Sequence, residues 1–410
     1  NLLALHCLKK THKGKVKLIY IDPPYNTGTD TFGYNDRFNH STWLTFMKNR
    51  LTVASTLLDK TGSIFVQCDD NEQAYIRILL DEIFGRENFI NLITVKTKIA
   101  GVSGSSEGGS FQDNCEYINF YSKSKEDFEL ANNIYERTEL FSFIEEMKEN
   151  DQSWKYTTVF EEVDAGEYIK SIPTRDGSQI DIFRHKKYKF SSIKDIAKRK
   201  YGGDVKKAYY GEIENVFRTT NAQSSIRTRI MEEKLPDELI SIEYVPTKGK
   251  NKGKKVKLFY KDAIRNLITR LSEVTETADG IVYKLDKTGS LWDSINYNNI
   301  SKEGEVKLEN GKKPEELLYN IIYSATNAGD LVLDYHLGSG TTCAVAHKMG
   351  RKYIGIEQLD YGDNDSVIRL QNVIKGDSSG ISKSVNWDSG GSFIYAELAQ
   401  ANQLFINKIQ

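Results

Sequence analysis

Short, dense apolar runs alternate with amphipathic stretches along this chain, and that alternation sets the expected elements. Residues 15–25 (KVKLIYIDPPY) read as a buried strand, with Leu18, Ile19, Tyr20 and Ile21 as its β-prone run. Pro23 and Pro24 must stop it, because proline offers no amide hydrogen to a ladder and restricts the residue before it. Residues 41–59 place Leu44, Met47, Leu51, Ala54 and Leu58 at helical spacing, with Ser41 or Thr42 as the expected cap. Residues 62–67 (GSIFVQ) read as the next strand, and 71–84 as a helix that turns Ile76, Leu79, Leu80, Ile83 and Phe84 inward. Residues 89–95 and 117–121 read as further strands. Strands alternating with helices predict an α/β fold on a doubly wound, mostly parallel sheet. The glycine- and serine-rich stretch 101–110 reads as a linker or as a flap over a site.

From about residue 131 the pattern changes. Short apolar runs are broken by turn signals such as Asp176-Gly177, Gly249 and Gly253. Acids crowd 136–167, while 184–207 holds ten basic residues against Asp195 and Asp204. A second basic run, Lys248, Lys250, Lys252, Lys254, Lys255, Lys257 and Lys261, contains no acid. This region is expected to be an α+β insert over 131–287 that divides an α/β domain into 1–130 and 288–410. In the second part, 314–327 reads as a helix with Pro314 in its first turn. A strand at 331–334, a glycine turn at 338–340, a helix at 341–349 and a strand at 353–357 follow.

Composition narrows the function classes. The 410 residues carry 56 Lys+Arg against 57 Asp+Glu, for a net charge of −1. That balance excludes a uniformly basic nucleic-acid wrapper and an acidic tail protein. Cys7, Cys68, Cys115 and Cys343 are scattered with no CxxC pair, so no disulfide framework and no metal site is expected. No stretch approaches the roughly 20 apolar residues of a membrane helix, and no signal-peptide pattern is present. A reducing, cytoplasmic setting is the expectation.

Two motifs carry chemistry. Asp22-Pro23-Pro24-Tyr25 stands at the carboxyl end of the first strand, where ligands of doubly wound sheets bind. It supplies a carboxylate, a carbonyl without a competing amide donor, and an aromatic face. That set suits a planar substrate with an exocyclic amine: Asp22 and the Pro23 carbonyl accept two N–H bonds, and Tyr25 stacks. The second motif is 331–342 (LVLDYHLGSGTT), followed by Glu357, seventeen residues after Gly340. Gly338 and Gly340 let a ligand approach the backbone before a helix N-terminus. An acid ending the next strand suits two ribose hydroxyls. No basic residue waits for a pyrophosphate, which favours a nucleoside cofactor without phosphates.

These residues resemble the DNA amino-methyltransferases of the β arrangement, and more narrowly the modification subunit of type III restriction–modification systems. The matching segments are 18–29 (LIYIDPPYNTGT), 34–51, 62–72 (GSIFVQCDDNE), 313–317 (KPEEL), 333–342 and 380–398. They occupy both flanks and leave the middle uncovered, as a target-recognition domain would be. The resemblance implies site-specific transfer of a methyl group from S-adenosylmethionine to N6 of a flipped-out adenine in double-stranded DNA. It implies Asp22, Pro23, Pro24 and Tyr25 as catalytic residues. It implies Asp22, Lys313, Pro314, Glu315, Asp334, His336, Gly338, Gly340, Thr341 and Glu357 around the cofactor. His336 stands where the family has phenylalanine. Lys248, Lys250, Lys252, Lys254 and Lys255 are the expected DNA contacts, since basic runs beside a base-binding site favour nucleic acid. A homodimer, a restriction subunit as partner and a bacterial, nucleoid-associated location are further implications. N4-cytosine methylation stays open, as does a sequence-specific DNA-binding subunit that has lost methyl transfer.

Overall fold

The structure is a computed structural model that describes residues 1–27, 39–97, 111, 113–174, 178–221, 225–233, 235–247, 251–298, 300–306 and 311–398. It divides into two compact units, Asn1–Ile134 with Lys287–Gln410, and Tyr135–Asp286. The expected flap at 101–110 and the Asp176-Gly177 turn lie outside the described residues.

The first unit is built on a seven-stranded sheet. Its strands in chain order are β1 (Val16–Ile21), β2 (Leu58–Cys68), β3 (Phe89–Lys96), β4 (Cys115–Ser122), β5 (Leu291–Trp292), β6 (Leu331–Asp334) and β7 (Lys352–Gly355). Their order across the sheet is β5-β3-β4-β2-β1-β6-β7. All pairs are parallel except those of β4, which runs antiparallel to both β2 and β3. Sidedness explains the continuous apolar runs. Ile19, Ile21, Ile64 and Val66 face a core shared with helices α1 (Leu2–His12), α2 (His40–Leu57) and α3 (Gln73–Phe84). Leu18, Tyr20, Phe65 and Val332 face the opposite core, with α4 (Glu315–Ala325) and α5 (Thr341–Lys348). A strand covered on both faces has no polar side to show.

Local chemistry sets the helix ends. Asn39, not Ser41 or Thr42, caps α2, its side chain accepting from the Thr42 amide at 2.8 Å. Helix α6 (Ser366–Lys375) is capped by Asp365, which accepts from the Ile368 amide at 2.8 Å. Among the described residues no helix is long and apolar enough to cross a membrane.

The strand order places the two motifs side by side. β1 and β6 are neighbours, paired Leu18 to Val332 and Ile19 to Leu333, although more than three hundred residues separate them in sequence. Asp22 and Asp334 therefore stand at the same, carboxyl edge of the sheet. Where the second unit is inserted, the Thr288 amide donates to the Ile134 carbonyl at 3.0 Å.

The second unit is α+β. Its main sheet has eight antiparallel strands, in the order 167–173, 179–185, 239–244, 256–261, 266–270, 216–220, 158–163 and 188–192. A three-stranded sheet and four short helices complete what is described of it.

Candidate active site

Asp22 follows the last residue of β1 and enters a partly buried network of two carboxylates and one lysine. Lys313 Nζ lies 2.9 Å from Asp22 Oδ2 and 3.4 Å from Glu116 Oε2. The Tyr25 hydroxyl lies 2.5 Å from Asp22 Oδ1 and 2.8 Å from Glu116 Oε2. Gln67 Nε2 donates to Glu116 Oε2 at 2.6 Å, and the Tyr20 hydroxyl donates to Gln67 Oε1 at 2.6 Å. The Lys313 ammonium also sits 5.0 Å from the centroid of the Tyr25 ring.

Burial and charge pull these groups apart. Burial raises the Asp22 carboxyl above its ordinary range against the pull of Lys313, and the nearby Glu116 adds to the rise. Burial also works to raise Glu116, but Lys313 and the bonds from Tyr25 and Gln67 outweigh it and hold Glu116 below its ordinary value. For Lys313, burial favours the neutral form, yet the two carboxylates win and keep it firmly charged.

The turn that carries Asp22 is clamped from behind. The indole of the fully buried Trp43 donates to the Pro24 carbonyl at 2.8 Å. Asn26 takes a positive φ of 60°, and its side-chain amide donates to the fully buried Glu72 carboxylate at 2.6 Å. An asparagine tolerates that backbone better than most residues.

Across the β1–β6 boundary lies the glycine turn. The Gly338 amide donates to Glu357 Oε2 at 2.7 Å, while Glu357 Oε1 accepts from the Gln358 and Leu359 amides at 2.7 and 2.8 Å. Gly340 has a φ of 85°, and a Cβ there would stand 2.8 Å from the Ser366 Cβ. Gly338 has a φ of 54°, and a Cβ there would meet no atom within 4 Å. Asp334 accepts from the Thr342 hydroxyl at 2.6 Å and the His336 amide at 2.9 Å, and burial pushes its carboxyl up to about 7. Burial, reinforced by Arg50, pushes the His336 imidazole down to about 3, so the ring is neutral. Its Nε2 is buried without a hydrogen-bond partner among the described residues.

Several expected site residues point elsewhere. Glu315 has no exposed surface. Its carboxylate accepts from Lys348 Nζ at 2.8 and 3.1 Å, Arg369 Nη2 at 2.8 Å and the Ile381 amide at 3.1 Å. The Thr341 hydroxyl likewise turns inward and accepts from Arg369 Nη1 at 2.9 Å. Both are tied into an ion cluster that Asp377 joins at 2.6 Å from Lys348. Pro314 occupies the N-cap position of α4 and is buried.

The basic runs are also changed by folding. Acids from the 136–167 stretch return to neutralise the first run: Glu167 pairs with Arg184 and Lys186, Glu161 with Lys189 and Arg199, and Glu139 with Lys206. Hydrogen bonds from Arg199 and Ser191 hold Glu161 down to about 2. In the second run, Lys255 pairs with Glu243 at 2.6 Å, whereas Lys252 and Lys254 are exposed. Lys248 and Lys250 lie outside the described residues.

Sequence reasoning missed Glu116, Gln67, Trp43 and Glu72. Trp43, Gln67 and Glu72 lie inside the matching segments 34–51 and 62–72, and Gln67 also stands out as a polar residue inside the apolar run GSIFVQC. Glu116 is the second residue of β4, ahead of its apolar run, and belongs to no motif.

Comparison with known proteins follows from the whole chain. The family model described as a DNA methylase matches residues 16–361. The probable type III restriction-modification enzyme HindVI Mod subunit of Haemophilus influenzae is 53% identical over 408 residues, which cover 98% of this chain and 53% of that protein. The type III restriction-modification enzyme EcoPI Mod subunit of Escherichia phage P1 is 27% identical over 409 residues, covering 90% of this chain and 57% of that protein. The DNA adenine methyltransferase YhdJ of Escherichia coli is 38% identical over 106 residues, 23% of this chain and 35% of that protein. The chain thus spans about half the length of the two Mod subunits it matches.

Proposed function

The chain belongs to the DNA methylase family, and from that membership we propose that it transfers a methyl group from S-adenosylmethionine to N6 of an adenine flipped out of double-stranded DNA. The observation that carries this reading is the pairing of β1 with β6, which brings the amine-binding turn at Asp22 beside the glycine turn and Glu357. The names of the two Mod subunits support a place in a type III restriction–modification system, with a restriction subunit as partner. The name of the YhdJ relative supports adenine over cytosine. A homodimer and a cytoplasmic, nucleoid-associated setting belong to the same proposal.

The glycine turn fits the cofactor. The space over Gly338 is open, His336 offers a buried nitrogen without a partner, and Glu357 lies at the mouth of the turn. Gly338, His336, Glu357 and Asp334 would hold it. When bound, the sulfonium supplies a methyl group on a neutral leaving group.

The remaining work falls to the chain. An ionised carboxylate has about four lone-pair sites, so Asp22 can accept an amine N–H while keeping Lys313. The Pro23 carbonyl takes the second N–H. Together they orient the nitrogen and favour a pyramidal lone pair, so rate is gained by alignment and electrostatics. Flipping the base costs a few kcal/mol, and stacking on Tyr25 returns about 1–3 kcal/mol. Asp22 and Glu116 together outweigh the single charge of Lys313, which favours the positive charge that develops on the target nitrogen. The insert over 135–286 is proposed to read the DNA sequence, with the exposed Lys252 and Lys254 as backbone contacts.

Single-molecule sequencing of genomic DNA from cells expressing the protein, compared with Asp22→Ala cells, tests the reading. N6-methyladenine at one recurring site in the wild type alone is expected. N4-methylcytosine would change the substrate, and no modified base would overturn methyl transfer.

A further inference from the structure

Resting on the reading above, we propose that Glu116 is a positioning residue for methyl transfer: by holding the Tyr25 hydroxyl and sharing Lys313, it leaves Asp22 able to take up the proton that the target nitrogen releases. Tyr25 has one hydroxyl hydrogen, yet its oxygen contacts carboxylates on both sides, Asp22 at 2.5 Å and Glu116 at 2.8 Å. That hydrogen serves one carboxylate at a time. The other contact is satisfied only when its carboxylate carries a proton of its own.

The neighbours decide which carboxylate that is. Glu116 Oε2 also receives Gln67 Nε2 at 2.6 Å, and the Tyr20 hydroxyl fixes the Gln67 amide by donating to its oxygen. Lys313 is shared, 2.9 Å from Asp22 Oδ2 and 3.4 Å from Glu116 Oε2, whereas the Gln67 amide serves Glu116 alone. Tyr25 aside, Glu116 has two donors to the one of Asp22; it stays ionised and draws the Tyr25 hydrogen. The Tyr25 oxygen then accepts from a proton arriving on Asp22 Oδ1. The directions in which burial and charge move Asp22 and Glu116 agree with this order. Facing Asp22 are Lys313 from the segment before α4, Glu116 from β4, Tyr20 from β1 and Tyr25 from its own turn. Tyr297, Asp334 and Cys68 complete its surroundings.

The step balances. The nitrogen lone pair forms the new N–C bond, and the C–S bond electrons leave with sulfur. The nitrogen then holds a positive charge until one N–H bond breaks. That bond's electrons return to nitrogen, and the proton bonds to Asp22 Oδ1. Water later carries it away.

Two variants cut the arrangement. Glu116→Gln keeps the shape and removes the charge; Tyr25→Phe keeps the ring and removes the hydroxyl. Carboxyl-carbon NMR of the cofactor-free protein, with Asp22→Asn for assignment, should show Asp22 titrating lower in Glu116→Gln by on the order of one pH unit, as loss of a close like charge requires. The acid limb of the methylation pH profile should move the same way. Each variant should lower the single-turnover rate at least about tenfold, a part of the roughly 10²–10⁴-fold that general-base assistance supplies. The double variant should be no slower than the slower single. An unmoved Asp22 titration in Glu116→Gln, or a wild-type rate in Tyr25→Phe, would overturn the proposal. A wild-type protein that methylates no DNA would instead defeat the proposed function, and the NMR titration would still decide the role of Glu116.

Discussion

Removing the Glu315 carboxylate should unfold the protein before it weakens any ligand. In Glu315→Ala, Lys348 and Arg369, both without exposed side-chain surface, keep only Asp377 beside Lys348 and the charge of Glu303 near Arg369. Three side-chain contacts from cations and one backbone bond from Ile381 disappear together. Breaking a buried ion pair from one side costs about 3–5 kcal/mol, because the stranded charge cannot recover water. In a unit of roughly 250 residues each kcal/mol shifts Tm by about 2–4 °C, so a fall on the order of 10 °C is expected. Scanning calorimetry measures the fall, and titration calorimetry at 15 °C measures S-adenosylmethionine binding to the folded variant. A Tm within about 2 °C of wild type, joined to affinity at least tenfold weaker, would refute this reasoning and return Glu315 to the cofactor site.

Three further outcomes are expected. Gly340→Ala should destabilise by about 1–3 kcal/mol in urea unfolding, because the backbone is left-handed and the new methyl meets Ser366. Glu357→Ala should weaken S-adenosylmethionine binding by about 1.5–3 kcal/mol, a lost charge-assisted bond, and an unchanged dissociation constant would exclude that role. His336 should make stability depend on pH. Its folded value of about 3 lies below the ordinary 6.5, so the unfolded chain binds more protons between the two. The His336 contribution to stability is complete above pH 6.5 and is lost as pH falls towards 3. His336→Phe should flatten that part of the stability–pH curve, and a curve with the same slope would show that the histidine is not the source.

Legibility followed the range of the cause. β1 and β2 could be read because each is apolar on both faces, and the strand-ending prolines sit beside the residues they stop. The reversed direction of β4 could not, since an apolar run looks the same in either direction. β5 contributes two residues, too few for a period. Asp22 and Gly338 were legible because each belongs to a local motif. Glu116 was not, because its meaning comes from Tyr25 and Lys313, about ninety and two hundred residues away. The pairing of the first basic run was hidden for the same reason: nothing local to Arg199 shows that Glu161 is folded against it.

The hydrogen bond between Thr288 and Ile134 has an evolutionary consequence. The seven-stranded sheet meets the whole 135–286 excursion as a loop that leaves and returns at one rung. A foreign segment whose ends reach that rung can replace it without breaking a strand pair of β1, β2 or β6, since inserted domains with adjacent termini are readily accommodated. Recombination at these two points would exchange one insert for another while inheriting the sheet edge intact. Descendants of one ancestor would then diverge fastest between positions 135 and 286 and slowest at Asp22 and Gly338.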